Sequence, residues 1–447
     1  MSIIKAITRQ GFLQGISQSG YTVFKGVPYA KPPIGELRFQ APQPPDCWDG
    51  VRIADKFSAK SAQMGQPVGS MYIREFSENP DFLPPMSEDS LYLNIWTPAA
   101  DPGEKLPVTF WIHGGAFLGG YGTEVEFDGE SYCRRGVILV TINYRVNAFG
   151  FLAHPWLTAE NEHVISGNYG ILDQIMALQW VYDNIGAFGG DPARITVFGQ
   201  SAGSMSVQTL VSSKLTGTMI HSAIMQSGGG YDAGLSHDRS LAEGEEIGKR
   251  FVEFCQVDSL AELRALPIEK ILAAAGATLA YSFQNAGPDG PRMPFIPVID
   301  GYLLEEGYDA VIDNGHHKDI PYMLGSTRND IFVDAEKLAA GDKGKLYQGC
   351  IDWSLKNELL GRSPAYIYYF THQLPGDDHG AFHSSELWYM FGTLDRCWRP
   401  MTAADYELSA RMLDYWCNFI KSGNPNVPQL PKWQPCTSAD PHVQVLD

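Results

Sequence analysis

The stretch that most constrains the fold is a strand-like run that ends in Gly199-Gln200-Ser201-Ala202-Gly203. The β-branched and aromatic residues 195–198 before it indicate a short buried strand, and residues 205–211 after it fit the start of a helix. A strand that turns directly into a helix needs small residues at the reversal, and it holds the central side chain on strained backbone. The pattern therefore predicts a sharp turn that presents the Ser201 hydroxyl beside the first amides of a helix.

A second small-residue segment follows another predicted strand. Residues 107–112 indicate a fully buried strand, and His113-Gly114-Gly115-Ala116-Phe117 comes directly after it. Consecutive small residues at a strand end let backbone N–H groups converge on one oxygen. Each segment alone is compatible with a plain turn. Together, in this order, they predict a nucleophilic serine with an oxyanion-binding loop.

Strand patterns alternate with helical patterns along most of the chain. The predicted strands are residues 3–7, 21–27, 91–96, 107–112, 137–142, 195–198, 221–226, 321–325 and 366–370, and helical patterns cover 172–185, 241–275 and 408–420. This alternation predicts the α/β class, with a mostly parallel central sheet flanked by helices. The run 91–96 alternates as a half-buried strand does. No linker separates domains, so we expect a single domain over residues 1–447.

Charge and composition narrow the classes of function. The net charge of −18 argues against a nucleic-acid partner. No apolar run approaches the roughly 20 residues needed to cross a bilayer, and residues 1–9 lack the apolar centre of a signal peptide. The seven cysteines are scattered and include no Cys-x-x-Cys pair, so they indicate neither a disulfide framework nor a zinc site. These features predict a cytoplasmic protein, unless a leader has been removed.

The chain resembles the type-B carboxylesterase family of α/β-hydrolases, which includes bacterial para-nitrobenzyl esterases and, more distantly, cholinesterases. Beside the two segments above, the matching blocks are Phe24-Lys25-Gly26-Val27-Pro28-Tyr29-Ala30, Ser87-Glu88-Asp89-Ser90-Leu91-Tyr92-Leu93-Asn94, Asn143-Tyr144-Arg145 and Phe188-Gly189-Gly190-Asp191-Pro192. They cover most of the first 230 residues in the family's order. The resemblance implies the α/β-hydrolase fold and a broad-specificity esterase. Such an esterase is expected to act on small carboxylic esters through an acyl-enzyme intermediate, without a metal or organic cofactor.

The resemblance also implies roles for individual residues. Ser201 matches the nucleophile, and the backbone amides of Gly115, Ala116 and Ala202 match the oxyanion hole. His383, in the segment 380–387, resembles the family's catalytic-histidine block. Among the other histidines, His379 is the nearest rival, and we expect His113 to be structural.

The triad acid is expected at Asp330, in the segment 325–332, where the family usually has glutamate followed by glycine. Here Ile331 stands at the glycine position. Asp330 is alternatively a surface aspartate that caps a helix. The competing acids close to His383 are Asp377, Asp378 and Glu386.

From Asp330 to His383 is 53 residues, a shorter gap than family members usually show. We therefore expect a shortened helical cap, with cap or insert segments at about 228–320 and 331–363. A shorter cap predicts a more open site.

Further residues are expected around the site. Phe117, Leu118 and Phe332 are candidate walls of an apolar substrate pocket, although each is equally compatible with ordinary core. Ser227 matches a serine that the family places beside its triad. The family also pairs a glutamate with an arginine below the site, which predicts a buried ion pair between Glu88 and Arg145.

Two other classes of function remain open on the sequence. A neuroligin-like binding protein keeps this fold without catalysis, although such proteins typically lose the serine. An amidase or a thioesterase uses the same triad. The sequence does not determine the oligomeric state.

Overall fold

The computed structural model describes residues 2–66, 69–232, 238–287 and 292–447. Its strands are β1 (Lys5–Thr8), β2 (Gly11–Gln14), β3 (Ile16–Ser17), β4 (Thr22–Pro28), β5 (Val51–Ile53), β6 (Tyr92–Thr97), β7 (Leu106–Ile112), β8 (Ile138–Ile142), β9 (Gly190–Gln200), β10 (Ser222–Gln226), β11 (Tyr322–Thr327), β12 (Tyr366–Phe370) and β13 (Gln444–Leu446). The predicted strands from residue 107 onward are confirmed.

The helices are distributed between these strands as the alternating pattern predicts. They are α1 (Glu130–Cys133), α2 (Asn147–Phe151), α3 (Pro155–Glu160), α4 (Tyr169–Asn184), α5 (Ala202–Ser212), α6 (Leu241–Cys255), α7 (Leu260–Ala265), α8 (Ile268–Gln284), α9 (Tyr308–Asp313), α10 (Ala335–Ala339), α11 (Gly344–Leu359), α12 (Leu387–Phe391) and α13 (Ala403–Ser422). Within the described ranges, no helix combines the length and the apolar character needed to span a membrane.

The central sheet has ten strands in the order β13-β12-β11-β10-β9-β7-β8-β6-β4-β3. The pairs from β13 to β8 are parallel, and the pairs β8–β6, β6–β4 and β4–β3 are antiparallel. The prediction of a mostly parallel sheet is confirmed. Because β7, β9, β11 and β12 run in the same direction, the loops after them meet at one edge of the sheet.

The register of the parallel strands fixes this convergence. Gly199 near the end of β9 pairs with Ile112 at the end of β7, and Gln200 pairs with Gln226 of β10. Gln226 in turn pairs with Gly325 of β11. The segments that carry Ser201, the small-residue loop and Asp330 therefore leave the sheet at the same level.

Apolar side chains cover both faces of the sheet. On one face, the Trp111 ring of β7 lies 4.7 Å from the Phe198 ring of β9 and 5.0 Å from the Phe391 ring of α12.

The prediction that 91–96 is half-buried was wrong, because β6 lies inside the sheet and is buried from Leu93 onward. Its polar residue Asn94 is also buried, and it donates a hydrogen bond to Thr141.

The two expected insert segments are mainly helical. Residues 228–320 contain α6, α7, α8 and α9, and residues 331–363 contain α10 and α11. Parts of the first segment, 233–237 and 288–291, lie outside the described residues. The helical pattern predicted to residue 275 continues to the end of α8 at Gln284.

The predicted ion pair between Glu88 and Arg145 is wrong, although both residues form buried pairs. Arg145 donates from Nε to Oδ2 of Asp173 on α4 at 2.8 Å and from Nη2 to Oδ1 at 2.6 Å. Arg38 donates from Nε to Oε1 of Glu88 at 2.7 Å. Arg145 leaves the end of β8 beside α4, so the nearest carboxylate is the one that α4 carries.

Candidate active site

Ser201 lies at a sharp turn between β9 and α5. Its φ of 57° is in the left-handed region, which is strained for a serine. Its N–H donates to the carbonyl of Gln226 at 2.9 Å, so the turn is anchored on β10. A Cβ at Gly203 would lie 2.0 Å from the Ile112 carbonyl oxygen, and a Cβ at Gly199 would lie 2.5 Å from the Gly203 backbone. The turn therefore requires glycine at both positions.

The small-residue loop after β7 packs against this turn. A Cβ at Gly114 would lie 3.2 Å from Cβ of Ser201. Gly115 and Ala116 have φ values of 104° and 56°, which turn the loop sharply. In the described part of the chain, no carbonyl accepts a hydrogen bond from the amides of Gly115 and Ala116. Ala202 is the first residue of α5, so its amide is one of the unsatisfied donors of a helix N-terminus.

Asp330 and His383 are in direct contact at the same edge. Oδ1 of Asp330 lies 2.6 Å from Nδ1 of His383. Oδ2 of Asp330 accepts hydrogen bonds from the Ser227 hydroxyl at 2.7 Å and from the Thr327 amide at 2.9 Å. Burial opposes ionisation of Asp330, but His383 and these donors outweigh it and lower the pKa of the carboxyl group. The carboxylate is therefore ionised and oriented toward the imidazole.

Asn329 joins the loops that carry Asp330 and His383. Its N–H donates to the Ala381 carbonyl at 2.9 Å, and its Oδ1 accepts from the Ala381 amide at 3.1 Å. A Cβ at Gly380 would lie 2.3 Å from that same Oδ1, so glycine is needed for this approach. The close pairing lets aspartate, one methylene shorter than glutamate, reach His383.

His383 makes a further contact that the sequence reasoning missed. Nε2 of His383 lies 3.1 Å from the side-chain nitrogen of Gln200, which is buried. The signal that points to Gln200 is its position immediately before Ser201 at the end of β9. The Tyr72 hydroxyl also donates to the His383 carbonyl, at 3.3 Å.

The competing acids do not contact the His383 imidazole. Asp377 pairs with Arg399 at 2.9 Å, and Asp378 is exposed. Glu386 is buried, and its Oε1 accepts a hydrogen bond from Gln226 at 3.4 Å. Burial, followed by the charge of Asp330, raises the pKa of Glu386 to about 7.

The two other histidines singled out by the sequence lie in different environments. The side chain of His379 is 52% exposed, and its Nε2 lies 3.9 Å from Oδ2 of Asp377. The His113 ring is buried and stacks on the Tyr144 ring, with 4.3 Å between their centroids. Burial lowers the pKa of His113 to about 4. His113 is thus a neutral, packed side chain.

The candidate pocket residues differ in exposure. Phe117 is buried in the core, with its ring 4.9 Å from the Phe151 ring, and Leu118 is partly buried against the same cluster. Phe332 is 71% exposed. Ser227 lies beside the acid, as described above. Among the described residues, no group of three or more histidine, cysteine or acidic side chains is arranged to hold a metal ion.

Comparison with known proteins identifies the family. The sequence matches the model of the carboxylesterase family over residues 4–348 and 343–447, which together span nearly the whole chain. The chain belongs to the carboxylesterase family. It is a serine hydrolase of carboxylic esters, as we predicted from the sequence.

Individual relatives agree with this assignment. The para-nitrobenzyl esterase of Bacillus subtilis (strain 168) is 32% identical over 94% of this chain and 90% of its own length. The fumonisin B1 esterase of Sphingopyxis macrogoltabida is 31% identical over 95% of this chain and 83% of its own length. A solved structure described as a PNB esterase matches with a TM-score of 0.84 and 29% identity, and covers 99% of this chain and 95% of that one. The fold is the α/β-hydrolase fold.

Proposed function

We propose that this carboxylesterase uses Ser201 as nucleophile, His383 as general base and Asp330 as the acid that orients the imidazole. The observation that carries the proposal is the 2.6 Å contact between Asp330 and His383, on loops that meet the strained turn of Ser201. Asp330 accepts the hydrogen on Nδ1 of His383. Nε2 is left as a proton acceptor that faces the elbow, the sharp turn of residues 199–203 that carries Ser201.

The first half of the reaction forms an acyl-enzyme. Oγ of Ser201 attacks the ester carbonyl carbon, and Nε2 of His383 takes the hydroxyl proton. The amides of Gly115, Ala116 and Ala202 donate to the negative oxygen of the tetrahedral intermediate. The carbon–oxygen bond to the alcohol then breaks, and the alcohol leaves with the proton from Nε2.

The second half returns the enzyme to its starting state. Water gives a proton to Nε2 of His383 and attacks the acyl carbon. The same three amides stabilise the second tetrahedral intermediate, and the bond to Ser201 breaks. Ser201 regains its proton from Nε2, and the carboxylic acid leaves.

We further propose that the enzyme accepts esters of varied size. Two relatives are named for chemically different esters, a para-nitrobenzyl ester and fumonisin B1. The short segment of 53 residues between acid and base supports a reduced cap and a site with fewer enclosing walls. Phe332, exposed two residues after Asp330, is a candidate contact for bulky substrates, and Phe117 and Leu118 shape the small-residue loop after β7. Ser227 holds Asp330 rather than substrate.

We also propose that the enzyme works in a reducing compartment such as the cytoplasm. The thiols of Cys133, Cys350, Cys417 and Cys436 are free and buried. They behave there as small apolar side chains. The measurement is cell fractionation with an antibody to the protein, and recovery in an oxidising compartment would contradict it.

A kinetic experiment tests the proposed reaction. Turnover is measured for matched ester, thioester and amide substrates with a common acyl group, and for esters varied separately in acyl and alcohol size. Ser201→Ala should lose turnover by roughly 10⁴-fold or more on esters while staying folded. Ser19→Ala, at an exposed serine, is the matched control and should match the unmodified enzyme. Ester turnover that survives in Ser201→Ala would refute the proposal.

A further inference from the structure

The side-chain amide of Gln200 contacts the His383 imidazole on the side opposite Asp330. Nε2 of Gln200 lies 3.1 Å from Nε2 of His383, and Gln200 is 2% exposed. An ionised carboxylate only accepts hydrogen bonds, so Nδ1 of His383 carries the imidazole hydrogen and donates it to Asp330. Nε2 is then an acceptor. The Gln200 N–H donates to the nitrogen that has to receive the Ser201 proton.

The Gln200 amide lies between the small-residue loop and His383, directly before Ser201 in the chain. Gln200 is the last residue of β9, and its backbone pairs with Gln226. A Cβ at Gly114 would lie 3.2 Å from Oε1 of Gln200, so the amide oxygen faces the loop while the nitrogen faces His383. The contact is therefore built from the same strand end and loop as the catalytic site.

We propose that Gln200 is a positioning residue that keeps Nε2 of His383 unprotonated in the free enzyme. The inference rests on the proposed function, in which His383 is the general base. The donated N–H stabilises the neutral imidazole, and it opposes the imidazolium, whose own Nε2–H would point at the amide hydrogens. The Ser201 hydroxyl replaces the amide at Nε2 when the proton is transferred. The contact thus acts on the resting enzyme.

Other titratable groups also face His383. Asp330 contacts Nδ1, and the buried Glu386 lies near enough to interact with both Asp330 and His383. The Tyr72 hydroxyl donates to the His383 carbonyl. All three groups are present in every variant of position 200. A difference in pH dependence between such variants therefore reports on the side chain at 200.

The test compares Gln200→Met and Gln200→Glu with the unmodified enzyme. The methionine side chain is similar in size and neither donates nor accepts strongly, whereas an ionised glutamate only accepts. The pH dependence of kcat/KM for p-nitrophenyl acetate reports on the free enzyme. The pH of half-maximal kcat/KM on the acidic side should be lowest in the unmodified enzyme, higher in Gln200→Met and highest in Gln200→Glu. In Gln200→Glu this pH should be higher than in the unmodified enzyme by about one pH unit or more.

Gln18→Glu is the matched control, because it makes the same chemical change at an exposed position and should leave the pH profile unmoved. Gln200 has only a structural role if its variants lose kcat/KM by the same factor at every pH. The acidic limb, meaning the pH of half-maximal kcat/KM on the acidic side, is then unmoved. If Gln200→Glu does not fold, an unmoved limb in Gln200→Met has the same meaning. Labelling by a fluorophosphonate separates the two hypotheses. A label on another serine refutes the triad itself, whereas a label on Ser201 with unmoved limbs refutes only this inference.

Discussion

Oδ1 of Asp330 lies 2.6 Å from Nδ1 of His383, although 53 residues separate them in sequence. The contact exists because Asn329 joins the loop after β11 to the loop before α12 through both its backbone amide and its side chain. The geometry that holds the imidazole therefore depends on loop pairing more than on the length of the acidic side chain.

The first prediction is that Asp330→Asn keeps its fold and loses about 10⁴-fold in turnover, the size of the comparable change in a serine protease. An amide favours the wrong imidazole tautomer and does not stabilise imidazolium. Asp378→Asn, at an exposed aspartate five residues before His383 in sequence, is the control and should remain active. The measurement is steady-state ester hydrolysis together with circular dichroism. If Asp330→Asn remains active and Asp377→Asn or Glu386→Gln is inactive, Asp330 is not the triad acid.

The second prediction concerns Gly203, whose added Cβ would meet the Ile112 carbonyl oxygen at 2.0 Å. Gly203→Ala forces the elbow and β7 apart, so we expect a loss of esterase activity of at least 100-fold or a failure to accumulate folded protein. Gly186→Ala is the matched control, because nothing lies within 4 Å of its added Cβ. Equal activity of the two variants, measured per folded molecule, is the outcome that contradicts this geometry.

The third prediction concerns the buried pair of Arg145 and Asp173, whose side chains are 4% and 0% exposed. Asp173→Asn leaves the guanidinium without its charged partner, which costs about 3–5 kcal/mol of unfolding free energy. Glu305→Gln removes an exposed pair with Lys214 and should cost about 0–1 kcal/mol. Denaturant titration of both variants makes the comparison. If Asp173→Asn unfolds at the same denaturant concentration as Glu305→Gln, the pair of Arg145 and Asp173 is not needed for stability.

The fourth prediction is a pH dependence of stability that arises at Glu386. Burial and Asp330 raise the pKa of Glu386 from 4.5 to about 7. A carboxyl group whose pKa is raised in the folded state contributes stability below pH 4.5, and this contribution is lost as the pH rises through about 7. Glu386→Gln does not titrate and escapes this loss. Its unfolding free energy relative to the unmodified enzyme should rise by up to about 3 kcal/mol from pH 4.5 to pH 8.

The control for that experiment is Glu336→Gln, at an exposed position on α10. The other acids whose pKa values are raised, including Glu124 and Glu126, are common to all three proteins, and their effects cancel in the differences. A constant difference between Glu386→Gln and the unmodified enzyme across this pH range would mean that Glu386 titrates normally.

The sequence predicts the sheet and the elbow because these rest on local patterns. Long apolar runs identify β7, β8, β9, β11 and β12, and glycine is required around Ser201 by close backbone contacts. The alternating pattern of β6 led to the wrong prediction of a half-buried strand. Its buried polar residue Asn94 looks like a solvent-facing position until its hydrogen-bond partners are known.

Features that depend on contacts between distant segments were not predictable in the same way. Arg145 pairs with Asp173 of α4, and Glu88 with Arg38, because the packing of helices and loops decides which opposite charge is nearest. The contact between Gln200 and His383 was missed for a similar reason. The position of Gln200 immediately before Ser201 places it near the site, but only the convergence of two loops brings its amide to the imidazole.

The most direct test of the account is to map the residue modified by a fluorophosphonate probe. The probe mimics the tetrahedral intermediate and reacts with a serine only where a base and oxyanion donors act on it together. The unmodified protein, His383→Ala and Ser19→Ala are treated with the probe, digested and analysed by mass spectrometry. We predict one adduct on Ser201, formed at the same rate in Ser19→Ala and much more slowly in His383→Ala. An adduct on any other serine, or labelling of Ser201 that does not depend on His383, would contradict the proposed triad.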